Sequence, residues 1–298
     1  MTRTLVAGIE TGGTKILARL CDLAGGETIA EQRWATSSAE RAAEDLLDFL
    51  TSAVPYGDRL AAVGMAAFGP LIIDPTSPDY GQVQATTKPG WSGGNVRGAL
   101  QAGLGVPVAV DSDVNAAAIA EQKLGAGAGL PSIAYVTVGT GIGAGLANRG
   151  QSLVGALHPE AGHLRLVRRD DDDVVSVCPF HSDCAEGLVS GPAVRSRLGE
   201  GAALAEEPRL IDLIADYLGQ LAAALVLAWS PHRIVWGGGV IGAAPMIEAI
   251  ESAMRLSLAG FGVGPAAVQP GFCAPAALAN AGLEGALLMA RELVSDEQ

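Results

Sequence analysis

The stretch Leu5–Cys21 is LVAGIETGGTKILARLC, two apolar segments on either side of a glycine-containing turn. This pattern predicts two β-strands, Leu5–Ile9 and Ile16–Cys21, joined by the turn. Residues 133–147, IAYVTVGTGIGAGLA, repeat the arrangement around a second glycine turn. Because alternating helices and strands follow both openings, the sequence predicts an internally duplicated α/β protein.

The composition indicates a folded, acidic protein. At 298 residues the chain is long for one domain, so two lobes are expected. Its 49% hydrophobic residues are enough for a sizeable core. The net charge of −13 argues against a nucleic-acid partner, which requires a basic surface.

Neither a membrane span nor an export signal is expected. Apolar runs such as Leu221–Trp229 are too short to cross a bilayer. Residues 1–4 lead directly into a strand, without the architecture of a signal peptide. The chain has four cysteines, which is too few for a disulfide-stapled protein of this size, so the sequence predicts a cytoplasmic location.

Both glycine turns are candidate phosphate sites. In Gly12–Lys15 the glycines let backbone N–H groups approach an anion, and Thr14 and Lys15 can donate to phosphate oxygens. This is not a Walker A motif, and either turn alone, including Gly139–Gly143, is consistent with an ordinary hairpin. Together the two turns could hold a polyphosphate between the lobes. Gly237–Gly239 follows a predicted strand and offers either bare backbone for a nucleoside or a tight strand-to-helix connection.

A polar cluster follows the predicted strand Val106–Val110. One residue of Asp111-Ser112-Asp113-Val114-Asn115 is expected to cap the next helix. The others lie at the carboxyl end of a strand, where α/β proteins bind ligands. Phosphoryl transfer needs a base for the acceptor hydroxyl, and we predict Asp113 in that role, with Asn115 orienting the hydroxyl.

Four candidate metal ligands lie in one short segment: His163, Cys178, His181 and Cys184. A set of two cysteines and two histidines at this spacing predicts a structural, tetrahedral Zn²⁺ site. The alternative is a Cys178–Cys184 disulfide beside two unrelated histidines. A zinc site here would hold Glu160 and Glu186, which flank the ligands, in fixed positions.

The sequence also predicts the character of two further segments, residues 69–91 and Asp170–Asp173. Residues 69–91 are rich in Pro, Gly, Thr and Ser and show no helical periodicity, which predicts a functional loop or lid. The acidic run Asp170–Asp173 is expected to be a solvated loop tip rather than a metal or substrate site.

Taken in order, the motifs resemble those of the ROK-family sugar kinases, and the similarity covers essentially the whole chain. The motifs are Glu10–Lys15, Asp113-Val114-Asn115, Gly139–Gly143, Glu160-x-x-His163 and Cys178-x-x-His181-x-x-Cys184-x-Glu186. Phe68-Gly69-Pro70, Ser77–Gly81 and Lys88–Trp91 are similar to the zinc-containing bacterial fructokinase branch of that family.

The resemblance implies an actin-like ATPase (ribonuclease H-like) duplicated fold with two lobes and a central cleft. The implied lobes are residues 1–114 joined by the C-terminal helix 283–298, and residues 115–282 with the zinc segment. It implies an ATP-dependent fructokinase that makes fructose 6-phosphate with Mg²⁺ and that forms a homodimer. By position, Asp113 is the catalytic base, and the sugar-binding residues are Asn115, Glu160, His163 and Glu186. The implied nucleotide-binding residues are Gly12, Gly13, Thr14, Lys15, Gly139, Thr140, Gly141, Gly238 and Gly239.

Three positions depart from the family pattern. Glu10 stands where most relatives have Asp, which leaves its metal or phosphate role open. Thr87 replaces a proline in the stretch before Trp91, and Asp111-Ser112 replaces a more usual Asp-Asn. A kinase for mannose or glucose remains an alternative, because these motifs report ring hydroxyls poorly. A remote alternative is a non-enzymatic sugar-binding or sugar-sensing regulator.

Overall fold

The computed structural model describes residues 2–199, 202–242, 245–261, 264 and 268–295. The last three residues of the predicted C-terminal segment, 296–298, lie outside this set. Its strands and helices are, in chain order, β1 (Thr4–Thr11), β2 (Lys15–Asp22), β3 (Thr28–Ala35), α1 (Ala39–Ala53), β4 (Arg59–Ala67), α2 (Val96–Leu104), β5 (Val108–Ser112), α3 (Asp113–Leu124), β6 (Ser132–Val138), β7 (Ile142–Asn148), β8 (Gln151–Ser152), α4 (Ala185–Val189), α5 (Gly191–Arg195), α6 (Pro208–Trp229), β9 (Ile234–Gly237), α7 (Met246–Leu258), β10 (Cys273–Pro275) and α8 (Ala281–Ser295). Short 3₁₀ helices occupy Ala161–His163 and Leu204–Glu206.

Contacts group the chain into two compact units. The first contains Met1–Ala120, Ser152–Pro159 and Asn280–Gln298, and the second contains Glu121–Gln151 and Glu160–Ala279. The predicted lobes differ from these units because they assign residues 115–120, 152–159 and 280–282 to the larger lobe. The division into those lobes stays a prediction.

The first unit is built on a mixed sheet in the order β3-β2-β1-β4-β5. The first glycine turn joins β1 to β2, which pair antiparallel, while β4 pairs parallel with β1 on its other side. Helix α8 packs directly on this sheet, because glycines on β1 and β4 leave room for its backbone. A Cβ atom at Gly64 would lie 1.9 Å from the carbonyl oxygen of Ala286, so only glycine fits there.

The second unit repeats the arrangement, with a sheet in the order β10-β9-β6-β7-β8. Strand β6 pairs antiparallel with β7 and parallel with β9, as β1 does with β2 and β4. This match confirms the predicted internal duplication. The second glycine turn is shorter than expected, because Ile142 and Gly143 already belong to β7.

Helix α6 is the central helix of the second unit's core. Its residues Ile214, Leu218 and Leu221 have no solvent exposure. At 22 residues it is long and apolar enough to cross a membrane, and 67% of its most apolar window is buried inside the unit. The run Leu221–Trp229 is the C-terminal part of this helix, which begins at Pro208 and is longer than the run alone indicates. Its burial is typical of a core helix.

The acidic run Asp170–Asp173 is not simply a solvated loop tip. Three of its carboxylates are exposed, but the Asp172 side chain is only 1% exposed. It pairs with the buried guanidinium of Arg197 at 2.7 Å and accepts a hydrogen bond from the Tyr217 hydroxyl at 2.9 Å. The expectation was wrong at this position, because one carboxylate turns inward to a buried partner.

Candidate active site

The first glycine turn closes the β1–β2 hairpin in the first unit. The Gly12 amide donates to the Lys15 carbonyl at 2.8 Å, and the Thr36 hydroxyl donates to the Gly12 carbonyl at 2.6 Å. Lys88, which sequence analysis did not assign to a site, places its ammonium on the Gly13 carbonyl. A Cβ atom at Gly13 would lie 3.2 Å from the end of the Lys88 side chain, so glycine leaves room for that lysine.

Asp113 is the first residue of α3, directly after the buried strand β5. The Ser112 hydroxyl accepts a hydrogen bond from the backbone N–H of Asn115 at 3.2 Å and so caps the helix. The Asp113 carboxylate accepts from the Val114 amide at 2.8 Å. A carboxylate in the first turn of a helix interacts favourably with the helix dipole. Asp113 is half-buried, and its role as base stays a prediction.

Asp111 forms a buried network with Asn115. The Asn115 side chain has no solvent exposure, and its amide nitrogen donates to Asp111 Oδ1 at 2.8 Å. Asp111 also accepts from the Ser112 amide at 2.7 Å and from the Ser152 hydroxyl at 2.5 Å. Burial raises the pKa of Asp111, and these hydrogen bonds oppose that shift. The contact predicted between Asn115 and sugar stays a prediction, and its amide donor is directed at Asp111.

In the second unit, the second glycine turn and the candidate metal segment pack together. The Ile142 amide donates to Glu186 Oε2 at 3.1 Å, and a Cβ atom at Gly141 would lie 2.6 Å from that oxygen. A Cβ atom at Gly162 would lie 1.9 Å from the Ile142 carbonyl oxygen. The Gly139 carbonyl accepts from the Gly191 amide at 2.7 Å. Of the predicted residues of this turn, Gly141 therefore lies beside Glu186, and Gly139 contacts Gly191.

Two carboxylates flank this segment. Burial and, to a smaller extent, the charge of Glu186 raise the pKa of Glu160 to about 7. His163 lies between the glutamates in sequence, and its Nε2 is 4.0 Å from Glu186 Oε1. A carboxyl group with a pKa near neutrality can either accept or donate a hydrogen bond, which suits it to bind a hydroxyl group.

The four predicted metal ligands converge. The ligand atoms of His163, Cys178, His181 and Cys184 all lie within 4.8 Å of one another. Both cysteines are free thiols, so the disulfide alternative is wrong for this structure. The Nδ1 atom of His163 is 3.7 Å from each sulfur, and the Nδ1 atom of His181 is 3.7 Å from the Cys178 sulfur.

These distances fit a tetrahedral zinc site. Zinc bonds of about 2.3 Å to sulfur and about 2.0–2.1 Å to nitrogen separate the two ligand atoms by about 3.6 Å. The donor set of two thiols and two imidazoles is the one that zinc prefers in structural sites. Coordination through His163 Nδ1 would leave the ring proton on Nε2, which faces Glu186.

Local hydrogen bonds prepare the segment for this geometry. The Cys184 sulfur accepts from the Gly187 amide at 3.3 Å and caps α4, which fixes one ligand at a helix start. The Ser176 hydroxyl donates to the His181 carbonyl at 2.7 Å and closes the loop between Cys178 and Cys184. A Cβ atom at Gly187 would lie 2.0 Å from the Ser176 oxygen, so this packing also requires glycine.

The glycines after β9 have different roles. Gly238 has a φ of +93°, and its Cβ atom would lie 2.3 Å from the Val138 carbonyl oxygen. Glycine is therefore required there by the tight connection itself. A Cβ atom at Gly239 would meet nothing within 4 Å, so the fold does not explain that glycine. The nucleoside contacts predicted for both residues stay predictions.

Comparison with known proteins places these features in a family. The ROK family model matches residues 6–293. A fructokinase from Zymomonas mobilis subsp. mobilis is 39% identical over 82% of this chain and 82% of the relative. A fructokinase from Pediococcus pentosaceus is 32% identical over 96% of this chain and 98% of the relative. The crystal structure of a ROK hexokinase from Thermus thermophilus has a TM-score of 0.76 at 32% identity, covering 98% of this chain and 99% of that one.

Proposed function

This chain belongs to the ROK family and is a sugar kinase with the actin-like ATPase fold, and we propose that its acceptor is fructose and its product fructose 6-phosphate. The observation that carries the choice of sugar is the 39% identity with a fructokinase over 82% of both chains. The second candidate is a broader hexose kinase, because the Thermus thermophilus relative is a hexokinase at 32% identity.

A coupled assay with fructose, mannose, glucose and N-acetylmannosamine tests the sugar. We expect kcat/KM for fructose to exceed that for glucose by at least about tenfold, which corresponds to about 1.4 kcal/mol of transition-state binding. Mannose is expected to be a secondary substrate. Glucose as the better substrate would leave the kinase intact and reject fructose as the acceptor.

We assign the general base to Asp113. The Asp113 carboxylate would take the proton of the fructose 6-hydroxyl as its oxygen attacks the γ-phosphorus of ATP, and ADP leaves. Support comes from its position at the start of α3, at the carboxyl end of β5, where a negative charge interacts favourably with the helix dipole. Asp113→Asn is expected to lower kcat by about 10²–10⁴-fold while fructose binding changes little. Turnover above a third of wild type would reject the assignment.

ATP is expected to bind with Mg²⁺, which would neutralise phosphate charge. A donor for that ion is available in the first unit, because Glu10 Oε2 at the end of β1 is buried and has no hydrogen-bond partner among the described residues. Carboxylate oxygens are the ligands that Mg²⁺ prefers. The phosphates themselves are assigned to Gly12, Gly13, Thr14 and Lys15 and to Gly139, Thr140 and Gly141.

We assign a structural Zn²⁺ to His163, Cys178, His181 and Cys184. Its effect on the sugar site would be indirect: it would fix the His163 ring and the start of α4, which carries Glu186. Glu160 and Glu186 would then accept hydrogen bonds from sugar hydroxyls. A sugar lacking one of those hydroxyls leaves a buried polar group unpaired, which is a strong basis for discrimination.

Metal content tests this assignment without an activity measurement. We expect one zinc per chain by elemental analysis of purified protein. Cys178→Ser should lower both zinc content and thermal stability, because structural zinc contributes to folding free energy. Cys21→Ser, at another buried free cysteine, is the matched control and should retain the metal. Zinc-free wild-type protein would reject the site.

The homodimer and the cytoplasmic location also remain proposals. Light scattering of the purified protein at micromolar concentration distinguishes a monomer of 30.1 kDa from a dimer.

A further inference from the structure

Lysine is scarce in this chain, and its distribution is uneven. The sequence has only three lysines, Lys15, Lys88 and Lys123, and its net charge is −13. Lys15 ends the first glycine turn, and Lys88 reaches the same turn from a distant segment. Two of the three lysines therefore lie at one turn of the first unit.

The segment that carries Lys88 is held firmly in place. The Trp91 indole donates to the Ser37 carbonyl at 2.5 Å, and its ring packs on Phe68 with centroids 4.6 Å apart. The Gly90 carbonyl accepts from the Ala39 amide at 3.0 Å. These contacts fix the backbone next to Lys88 and bring its side chain to the Gly13 carbonyl.

The charge of Lys88 has no counter-ion in the part of the chain that the structure describes. No carboxylate oxygen of the described residues lies within 4.0 Å of Lys15 or Lys88, although the chain carries 32 acidic residues and its arginines form many ion pairs. An ammonium has three donors, and among the described residues Lys88 uses one, on the Gly13 carbonyl. Two donors and a full positive charge remain for an anion at the turn.

We propose that Lys88 is a further phosphate-binding residue, which contacts the phosphate chain of the nucleotide at the Gly12–Lys15 turn. This inference rests on the proposed kinase function, since it takes ATP as the anion. The positive charge would stabilise the phosphate oxygens as negative charge shifts during transfer. The competing explanation is a neutral latch, in which Lys88 only fastens residues 69–91 to the hairpin.

Lys88→Met tests the charge because it keeps the unbranched shape and most of the length of the side chain and removes the ammonium. We expect affinity for the non-hydrolysable analogue AMPPNP to fall at least about tenfold and kcat/KM for ATP to fall by about 10²–10³-fold. Affinity for adenosine, which has no phosphate, should stay within about twofold. Lys88→Arg should recover part of the AMPPNP affinity, because it restores the charge. Lys123→Met, at the exposed third lysine, should match wild type.

A second variant distinguishes the two explanations, phosphate binding by the Lys88 charge and mechanical fastening of residues 69–91 to the hairpin. Trp91→Phe removes the indole hydrogen bond to Ser37 and loosens the same segment without changing any charge. If Trp91→Phe weakens AMPPNP as much as Lys88→Met, or if Lys88→Met weakens adenosine equally, the latch explanation holds and the proposal is overturned. A wild type that does not bind AMPPNP overturns both this proposal and the kinase assignment. AMPPNP binding that depends on Lys88, in an enzyme inactive on fructose, supports this proposal and rejects only the sugar.

Discussion

The buried ion pair of Asp172 should contribute substantially to the stability of the second unit. The side chains of Asp172 and Arg197 are 1% and 6% exposed, with two Arg197 nitrogens on the carboxylate at 2.7–3.3 Å. Burial alone would raise the pKa of Asp172, but the bonds from Arg197 and Tyr217 prevail and lower it. Removing one partner of such a pair leaves a buried charge and costs about 3–5 kcal/mol. Asp172→Asn should therefore lower the free energy of unfolding by about 3 kcal/mol, and Asp172→Ala by more.

Calorimetry and urea unfolding followed by tryptophan fluorescence measure this effect. About 3 kcal/mol corresponds to a decrease in Tm of roughly 6–12 °C at 2–4 °C per kcal/mol. Asp171→Asn is the matched control, because its ion pair with Arg169 involves a carboxylate that is 67% exposed and should change stability by less than about 1 kcal/mol. Since the pKa of Asp172 is lowered on folding, its contribution to stability is fully present above pH 3.8, the unfolded-state pKa. This contribution is lost as the pH falls through the folded-state pKa. Equal effects of Asp171→Asn and Asp172→Asn would refute the reasoning.

Three further predictions concern buried groups. Asp111→Ala leaves the Asn115 side-chain amide without its acceptor and should lower the free energy of unfolding by about 1–3 kcal/mol, whereas Asp111→Asn keeps an acceptor and should lower it less. Chemical denaturation measures both variants, and equal losses would contradict the hydrogen-bond argument. Burial lowers the pKa of His158, so the stability of the wild type should fall as the pH drops from 6.5 towards the folded-state pKa. In measurements of Tm against pH, His158→Gln should reduce this slope, and an unchanged slope would exclude His158 as its source. Gly162→Ala would place a Cβ atom 1.9 Å from the Ile142 carbonyl oxygen, so it should lower both thermal stability and zinc content. Normal zinc content would show that the metal segment tolerates a shift at this position.

The fold could be predicted where the sequence signal is local. Strands β1, β2, β4 and β6 are nearly continuous apolar segments. Three of the four zinc ligands, Cys178, His181 and Cys184, lie at three-residue intervals, and His163 lies 15 positions before the first of them. Strand β3 is harder to predict, because polar and apolar residues are equally numerous in it and all of them are exposed or half-buried, as on an edge strand. Strand β10 has only three residues and ends in proline.

The missed site residues depend on contacts between distant parts of the chain. Lys88 lies 75 positions from Gly13, and Ser152 lies 41 positions from Asp111. No local pattern indicates such partners, although the scarcity of lysine in an acidic chain could have drawn attention to Lys88. The inward turn of Asp172 has the same cause, because its partner Arg197 lies 25 positions away and its neighbours are exposed acids.

The two glycine turns share an origin in the duplicated sheet but differ in the residues around them. The first turn is contacted by Thr36 and by Lys88, a cation with no carboxylate partner among the residues that the structure describes. The second is contacted by Glu186, an anion that accepts from the Ile142 amide, and its strand is packed against the metal segment at Gly162. Electrostatic binding of phosphate by side chains is therefore available at the first turn, whereas Glu186 at the second would repel it. If phosphate binds at the second turn, it must depend on backbone N–H groups, and Glu186 must be directed to the neutral sugar. Removing the positive charge of Lys88 should thus weaken nucleotide binding, while Glu186→Gln should act mainly on the KM for the sugar.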